Sequence, residues 1–211
     1  TTYYFRYEPL KWRVLDPSAG LILCEKIIDS QAYQNVIWYN SNDEEYYNGI
    51  NSTTFANNYP SSTIRAWLNN DFYNTAFDTT QKNKIKSTTV NNNAYSFYGD
   101  SPYNAAPTTD PIFLLSYSEA SNNSYGLSSL NARMAESTDY AKCQGIYAYT
   151  YKDIGYSNWI LRSAGSESDQ ANRVSWNGTM VYDYNVKAVR EGVRPACIIS
   201  NSNSLVHTVT S

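Results

Sequence analysis

The sequence predicts a mixed α+β domain that contains small antiparallel sheets, a few helices and long loops. Short apolar segments bounded by Gly, Pro, Asn or Asp recur along the chain, as is typical of short strands. Residues 61–77 instead carry apolar side chains at helical spacing. Because strand and helix signals do not alternate regularly, a doubly wound parallel sheet is not expected. The 211 residues show no break in composition, so we expect one domain over residues 1–211.

The chain opens with a predicted hairpin. The segments WRVLD (12–16) and GLILCEKIID (20–29) are strand-like, and Asp, Pro and Gly mark the turn between them. Residues 31–60 are polar and aromatic with little periodicity, and we expect a long loop there. Loops of this length in compact domains are usually functional or mobile.

Residues 61–77 predict the clearest helix. Ser61 or Ser62 can cap it, and its apolar residues recur on one face that we expect to pack on the core: Ile64, Trp67, Leu68 and Phe72. Residues 78–86 predict a second short helix with Asp78 as its cap. The segment STTV begins a strand, and residues 91–109 are expected to form another loop.

The segment 110–120 predicts a buried strand that runs into a helix, because Ser116 and Glu119 have capping-box spacing. Residues 130–145 have a modest helical pattern. The remaining predicted elements are an apolar strand, a hairpin that turns at Asn177-Gly178, and a closing strand: residues 158–165, 173–182 and 192–199.

Composition excludes some classes of function. The net charge is −3 and 17% of residues are charged, so the basic face of a nucleic-acid-binding protein is missing. No run of about 18 apolar residues predicts a membrane span. The first residues lack the pattern of a signal peptide, although a signal could have been removed. We therefore expect neither nucleic-acid binding nor direct membrane insertion.

The chain is rich in Tyr, with 21 residues, and in Asn, with 24. Binding surfaces use this pair, because Tyr provides contact area with few rotatable bonds and Asn provides adaptable hydrogen bonds. A bias toward AT-rich codons would also enrich both residues, and the two explanations stay open.

No motif predicts a catalytic, metal or cofactor site. Cys24, Cys143 and Cys197 have no metal-binding or redox spacing, and the single histidine, His207, lies in a polar tail. A spatial pair of carboxylates for glycoside hydrolysis cannot be recognised from sequence. We predict no cofactor, and a structural calcium ion held by loop acids stays open.

Four ordered motifs resemble a family of bacterial domains that is common in gut Firmicutes and in phage-like elements. They are S-x-x-R-x-W-L-N, I-F-L-L-S, W-x-L-R-S-x-G and G-V-R-P-A, found here at residues 62–69, 112–116, 159–165 and 192–196. The C-terminal half also resembles the C-type-lectin-like fold of formylglycine-generating-enzyme type. Diversity-generating retroelements use that fold for their variable proteins. The enzymes of that type bind copper through two closely spaced cysteines, which this chain lacks.

The resemblance implies a ligand-binding surface within residues 163–190, flanked by aromatic loops at 39–59 and 95–104. The implied ligand-binding residues are Ser166, Ser168, Asp169, Asn172, Arg173, Ser175, Asn177, Tyr182, Asp183, Tyr184 and Asn185. An ordinary polar hairpin would present the same residue types. In such retroelements the variable region is copied with errors at adenines, and errors in Asn codons cannot produce certain residue types. If this mechanism applies, the residues of those types would be unvaried parts of the scaffold: Glu167, Gln170, Trp176, Met180, Lys187 and Glu191.

Arg162 and Arg194 each enter an apolar strand. A guanidinium there must be paired with backbone carbonyls or an acid, so we predict structural roles for both, and for Trp176 as a supporting residue. Contact with an anionic ligand is the alternative for the two arginines.

The functional expectation is a non-enzymatic, receptor-type or adhesion-type domain, with the variable protein of a retroelement as its specific form. It would act outside the cell, at the cell surface or on a phage particle, through a signal or anchor absent from this chain. Its partner would be a protein or glycan on another cell or virus. A carbohydrate-binding module of a bacterial surface protein is the alternative.

Overall fold

Two sheets form the frame of the domain in this computed structural model. It describes residues 4–5, 8–35, 37–39, 45–47, 53–96, 101–151 and 154–200. Helices account for about 22% and strands for about 33%, which confirms the α+β class. The strands are β1 Trp12–Asp16, β2 Leu21–Cys24, β3 Asp29–Ser30, β4 Trp38–Tyr39, β5 Glu45–Tyr46, β6 Ile85–Lys86, β7 Thr88–Asn92, β8 Ala105–Asp110, β9 Tyr149–Tyr151, β10 Ile154–Tyr156, β11 Trp159–Ala164, β12 Gln170–Val174, β13 Met180–Asn185, β14 Gly192–Val193 and β15 Ala196–Ile199.

The helices are short and lie between the strands. They are α1 Thr63–Trp67, α2 Tyr73–Ala76, α3 Thr79–Lys82, α4 Tyr117–Ala120, α5 Leu130–Arg133 and α6 Asp139–Cys143. A π-helical segment, Leu68–Phe72, joins α1 to α2, and 3-10 turns lie at Tyr59–Ser61 and Asn123–Tyr125.

The four-stranded sheet has the order β1-β2-β15-β6, and the five-stranded sheet has the order β13-β12-β11-β14-β3. All pairs are antiparallel except β11 with β14, which are parallel where Trp159 faces Gly192. Two short connections cross directly between the two sheets, from β2 to β3 and from β14 to β15. The chain also passes from β3 to β6 and from β6 to β11 through longer segments. Strand pairs β4-β5, β7-β8 and β9-β10 lie apart from these sheets.

The predicted N-terminal hairpin is confirmed, but its second strand is shorter than expected. β1 and β2 pair from Trp12 with Cys24 to Asp16 with Leu21, and Gly20 in the turn has φ of 76°. β2 ends at Cys24 because the chain then leaves the sheet, and Asp29 and Ser30 pair with β14 of the other sheet.

The predicted helix is confirmed as one helical stretch over 63–76. The Ser62 hydroxyl accepts a hydrogen bond from the Arg65 amide at 3.3 Å, so Ser62 is the cap. Ile64, Leu68 and Phe72 are buried, as their spacing predicted. The π-helical segment places Trp67 against Phe72, with ring centroids 5.6 Å apart.

Two more capping predictions are confirmed. Asp78 and Gln81 form a capping box at α3, and Ser116 and Glu119 form one at α4. α3 is shorter than the predicted helix, because it ends at Lys82 and the chain pairs with β15 as β6.

The segment 91–109, predicted as a loop, contains a strand, so that part of the prediction is wrong. β8 pairs with β7 from Thr88 with Asp110 to Asn92 with Ala105. This segment contains Pro and Thr, and its two buried positions are the polar residues Thr108 and Asp110. The alternation of apolar and polar residues that indicates a half-buried strand is therefore missing from its sequence.

The predicted strand within 110–120 is also wrong in detail. Residues 112–115 are buried but make only a bridge, where the Phe113 and Ala196 backbones exchange two hydrogen bonds at 2.9 and 2.7 Å. An apolar run indicates burial, and burial here comes from packing on both sides rather than from a ladder.

Arg194 lies where the chain crosses from β14 to β15, and its side chain is fully buried. Its guanidinium donates to the carbonyls of Cys24 at 2.8 Å, Glu25 at 3.2 Å and Arg133 at 3.5 Å. It also lies over the Trp159 ring, 5.0 Å from the centroid. Desolvation by burial, with Arg13 nearby, lowers the pKa of Arg194 to about 10.

Replacing Arg194 by Ala is expected to lower the free energy of unfolding by about 3 kcal/mol, because the buried Cys24 carbonyl and the partly buried Glu25 carbonyl lose their guanidinium donor and the packing on Trp159 is lost. This corresponds to a melting temperature lower by roughly 6–12 °C. Exposed Arg190 provides the matched control, and Arg190→Ala should change stability by less than about 0.5 kcal/mol. Urea unfolding followed by Trp fluorescence measures both variants. Equal stability of the two would contradict the structural role.

Candidate functional site

Three segments distant in sequence meet at the turn between β11 and β12. The Asn57 amide donates to the Ser168 carbonyl at 3.0 Å, and the Tyr95 amide donates to the Ala164 carbonyl at 3.0 Å. The Ser101 hydroxyl reaches the Gly165 carbonyl at 3.4 Å. We call residues 53–58, 95–96, 101–104 and 165–169, with Tyr182 and Asn185 beside them, the turn surface. Both loops that the resemblance placed beside the binding region have described residues here.

Two buried asparagine side chains hydrogen-bond to the backbone carbonyls of the turn. The Asn57 side chain donates to the carbonyls of Glu167 at 2.7 Å and Gln170 at 3.1 Å. The Asn172 side chain donates to Tyr95, Ser163 and Ala164, at 3.2, 3.1 and 2.8 Å in that order. A carboxamide is suited to this task because its two N–H groups can satisfy several carbonyls of a turn that forms no ladder.

Gly165 is required by close packing at the same turn. A Cβ at this position would lie 2.4 Å from the Tyr182 carbonyl oxygen, so no other residue fits without a backbone shift. The turn is also joined to the end of β13, because the Val186 amide donates to the Asp169 carbonyl and the Asn185 side chain donates to the Asp169 carboxylate. The backbone of the turn is therefore hydrogen-bonded to residues 53–58, to residues 95–101 and to the end of β13.

Aromatic side chains surround the turn. Phe55 stacks on Tyr46 with centroids 5.0 Å apart and meets Tyr103 edge-on at 4.9 Å. Tyr95 stacks on Tyr117, and desolvation, followed by the hydrogen bond with Tyr95, raises the pKa of Tyr117 to about 12. These five side chains are all partly exposed. They provide large, stiff contact area at the surface.

Only some of the predicted ligand-binding residues lie together at this end. Ser166, Asp169 and Tyr182 are partly exposed and Asn185 is exposed. The Ser166 hydroxyl lies 3.2 Å from that of Ser96. The side chain of Asp183 lies outside the described residues.

Three predicted ligand-binding side chains are buried, which corrects their expected exposure. Asn172 is 0% exposed, Tyr184 3% and Ser168 7%. Asn172 is used by the turn carbonyls, and burial raises the pKa of Tyr184 well above its usual value. Both residues face into the domain because neighbouring residues of a strand point to opposite faces and both faces of this sheet are covered.

Arg173 is engaged within the sheet. Its guanidinium pairs with the buried Glu191 carboxylate at 2.5 Å and lies over the Tyr184 ring, 5.9 Å from the centroid. Burial raises the pKa of Glu191, and Arg173 opposes that effect. The partly exposed guanidinium thus has an internal counterion.

Ser175, Trp176 and Asn177 lie at the opposite end of the β12–β13 hairpin. The predicted turn at Asn177-Gly178 is confirmed, since Gly178 has φ of 82° and the Ser175 amide donates to the Thr179 carbonyl at 2.8 Å. The five residues of β12 separate Ser175 at this tip from Asp169 of the turn surface, a distance of about 20 Å along the strand. The predicted region 163–190 is therefore split into two surfaces.

The hairpin tip carries an aromatic ridge, which we define as Tyr147, Tyr149 and Trp176. Tyr149 stacks on Trp176 with centroids 5.0 Å apart, and Tyr147 meets Tyr149 edge-on at 4.5 Å. Tyr147 is 57% exposed and Tyr149 36%. Sequence reasoning missed both tyrosines because they lie outside the predicted region. The only available signal was the recurrence of Tyr in residues 147–151.

Arg162 is enclosed in a manner comparable to Arg194. It forms an ion pair with Glu119 and donates to the carbonyls of Leu114 at 2.6 Å and Asn91 at 2.9 Å. Burial acts to raise the pKa of Glu119, but Arg162 and the Ser116 bonds hold it below its ordinary value. Neither arginine is exposed to meet an anionic ligand, with exposures of 2% and 0%.

The cysteines are free thiols. Burial raises the pKa of Cys24 to about 11 and that of Cys197 to about 12, whereas Cys143 is exposed. Among the residues that the structure describes, no group of three or more His, Cys, Asp or Glu could hold a metal ion. His207 lies outside those residues. In the same described ranges, no helix has the length and hydropathy needed to cross a membrane.

Replacing Asn57 by Ala is expected to loosen the turn, because the Glu167 and Gln170 carbonyls lose their buried donor. We expect a loss of about 2–3 kcal/mol in unfolding free energy and faster amide exchange at residues 165–170. Exposed Asn131 on α5 provides the control variant Asn131→Ala. Hydrogen exchange read by mass spectrometry measures both effects. Unchanged exchange at 165–170 would show that Asn57 does not hold the turn.

The chain matches the family described as Domain of unknown function (DUF6273) over residues 20–201, which is most of its length. Searches among curated proteins and among solved structures found no match. Three of the four motifs lie in the helical stretch or in the two sheets, and the fourth, at 112–116, makes a bridge to β15; all four are inside the matched range. The chain therefore belongs to the DUF6273 family.

Proposed function

We propose that this chain is a non-enzymatic ligand-binding domain of C-type-lectin-like architecture that binds through the turn surface. The observation that carries the proposal is the convergence of three separate segments, each with an aromatic residue, on one turn whose backbone is held by hydrogen bonds. Side chains on such a turn can differ without altering the scaffold, because the backbone is held by buried Asn57 and Asn172.

The motif side chains support the proposal because they are used inside the domain. Arg65 pairs with Asp110 at 2.7 Å, and the Asn69 side chain accepts from the Ile112 amide at 3.2 Å. Together with Arg162 and Arg194, they join the helical stretch, the 112–116 segment and both sheets. A scaffold whose charges are satisfied internally leaves binding to the loops.

The proposed specific form is the variable protein of a diversity-generating retroelement. Within the region expected to vary, Ser166, Asp169, Tyr182 and Asn185 are at least partly exposed on the turn surface. Buried Glu191, which adenine-directed copying cannot produce, is the counterion of Arg173. The proposed partner is a protein or glycan on another cell or virus, met outside the cell or on a phage particle.

Randomising Ser166, Asp169, Tyr182 and Asn185 together is expected to leave most library members folded, because the loss of the exposed Asn185–Asp169 bond leaves the backbone hydrogen bonds of the turn in place. A matched library at Ser168, Asn172, Tyr184 and Asn57 should lose most of its folded members, because these side chains are buried. Protease resistance of the displayed domains, read by sequencing, compares the libraries. From the first library we expect binders to a fixed probe, lysozyme. Equal loss of folding in both libraries would contradict the proposal.

The retroelement assignment has its own test in the source genome. We expect a second copy of the DNA that encodes residues 163–190, differing from it only at adenines of the copy, beside a reverse-transcriptase gene. A genome without such a copy would remove this assignment and would leave the ligand-binding proposal to the library result.

A second candidate function is carbohydrate binding, and the aromatic ridge favours it. Tyr147, Tyr149 and Trp176 form a partly exposed row in which two rings are nearly parallel, with an interplanar angle of 16°. Rings of this kind offer flat apolar faces to the C–H groups of a sugar. Buried Tyr184 cannot take part in such stacking.

Tyr147→Ala and Tyr149→Ala are expected to abolish binding on a broad glycan array if the ridge binds sugars. Each ring removed should weaken binding about tenfold or more, since burial of a large apolar side chain contributes roughly 1.5–3 kcal/mol. Tyr4, which is 93% exposed and outside the ridge, supplies the control Tyr4→Ala. An array on which the wild-type domain binds nothing would exclude this second function.

A further inference from the structure

A deep groove lies away from both surfaces already described. Its volume is about 1600 Å³, and its lining comes from residues 24–29, from the helical stretch with Phe77, from residues 136–143 and from the N-terminal segment. Small-molecule sites usually occupy about 300–1,000 Å³, so this groove suits a longer occupant. No residue of the turn surface or of the aromatic ridge lines it.

The charge of the groove is unbalanced. Among the described residues that line it, seven are acidic and three are lysines. Two of the lysines are already neutralised within the groove, because Lys26 pairs with Glu136 at 2.8 Å and Lys142 pairs with Asp139 at 3.0 Å. Glu25 is neutralised as well, by Arg13 at 2.6 Å. The excess of negative charge therefore rests on Asp29, Asp71 and Asp78, which outnumber Lys11 and would attract a cationic ligand.

Asp29 is the acid of the groove whose carboxylate would gain most from a cationic partner, because it is the most buried of them. It lines the groove and is 5% exposed. Its carboxylate accepts from the Ser30 amide at 2.7 Å and from the Gln31 side chain at 3.3 Å, but within the described ranges it has no ion pair. Desolvation raises its pKa, opposed by those two hydrogen bonds. A carboxylate in this position is stabilised by an incoming cation.

An aromatic wall faces the same space. Trp67 stacks on Phe72, Phe72 meets Phe77 edge-on with centroids 5.6 Å apart, and Phe77 lies 6.1 Å from Trp12. Trp67, Trp12 and Phe77 are partly exposed. Rings next to acids can cover the aliphatic stem of Arg or Lys and attract its charge.

We propose that this groove binds a basic peptide segment, with Asp29 pairing with an Arg or Lys of that segment and the aromatic wall packing on its apolar side chains. The groove volume accommodates a peptide segment and exceeds what one amino acid would fill. The excess of acids selects the sign of its charge. Asp71, exposed on the π-helical segment and without an ion pair among the described residues, adds a second contact for a basic residue at the rim.

The test uses the full chain and two fluorescein-labelled decapeptides, one alternating Arg with Leu and the other Glu with Leu. We expect the basic peptide to bind by fluorescence anisotropy and the acidic one not to bind. Asp29→Asn should weaken binding about tenfold or more. Affinity should also fall steeply between about 0.05 M and about 0.5 M salt, because the attraction is electrostatic.

Two further variants complete the test, one as a control outside the groove and one at its rim. Asp16→Asn removes one negative charge from a partly exposed turn outside the groove and outside the other two surfaces, and it should leave the affinity unchanged. Asp71→Asn on the exposed rim should weaken binding severalfold without altering the fold. It decides the matter if Asp29→Asn does not fold. Circular dichroism checks each variant.

Several outcomes would overturn the proposal. Equal binding of both peptides, or no effect of Asp29→Asn and Asp71→Asn in folded protein, would show that the charge does not select the ligand. Binding of free arginine as tight as that of the peptide would indicate a small-cation site. A dimer in analytical ultracentrifugation that Asp29→Asn dissociates would identify a second copy of the chain as the occupant.

Discussion

The buried guanidinium of Arg194 joins the two sheets, and the rest of the fold is arranged around that joint. It lies where the chain leaves β14 and enters β15, and it donates to the Cys24 and Glu25 carbonyls where the chain leaves β2. Both short crossings between the sheets therefore meet at one side chain. The Trp159 ring beneath it belongs to β11, so the strand that leads to the turn surface is positioned by the same contact.

Burial of the Arg194 guanidinium costs free energy, and the groups around it offset that cost. A charge removed from water is expensive, and the lowered pKa of Arg194 reflects that desolvation. Three carbonyls and an aromatic face replace the lost hydration. Arg162 is satisfied differently, by the Glu119 carboxylate and two carbonyls. In both cases a guanidinium satisfies backbone groups at places where the chain forms no regular ladder.

Concentrating charge inside the scaffold leaves three surfaces of different character. The turn surface is polar and aromatic and rests on a tied backbone. The aromatic ridge at the other end of the hairpin is flat and apolar. The groove beyond β2 is acidic with one aromatic wall. Because they share no described residue, each surface can be altered without disturbing the other two, and their functions can be tested separately.

The split of the hairpin region follows from strand geometry. The residues before and after β12 are close in sequence, but the length of the strand separates them by about 20 Å. Ser166 and Asn177 therefore cannot contact one small ligand group together, although both belong to the region that the resemblance indicated. A binding surface at the turn instead draws its other members from residues 53–58 and 95–104, which are remote in sequence.

Short-range signals in this chain were sufficient for several elements. The caps at Ser62, Asp78 and Ser116, the spacing of Ile64 and Leu68, and the Asn-Gly turn all act between residues a few positions apart, and each forms as its sequence indicates. The apolar runs also indicated correctly which segments are buried. They did not indicate how the segments pair, so residues 112–115 and the Thr-rich β8 were misassigned.

The burial of polar residues depended on contacts that no local pattern records. Asn57, Asn172 and Asp29 have side chains that any surface loop would accept. The first two are buried because carbonyls from remote segments need donors, and Asp29 is buried because β3 packs against β14. Alternation along a strand defines two faces, but only the arrangement of the whole chain covers one or both of them. The candidate site and the groove therefore emerged from tertiary packing, whereas caps, turns and helix spacing could be read along the chain.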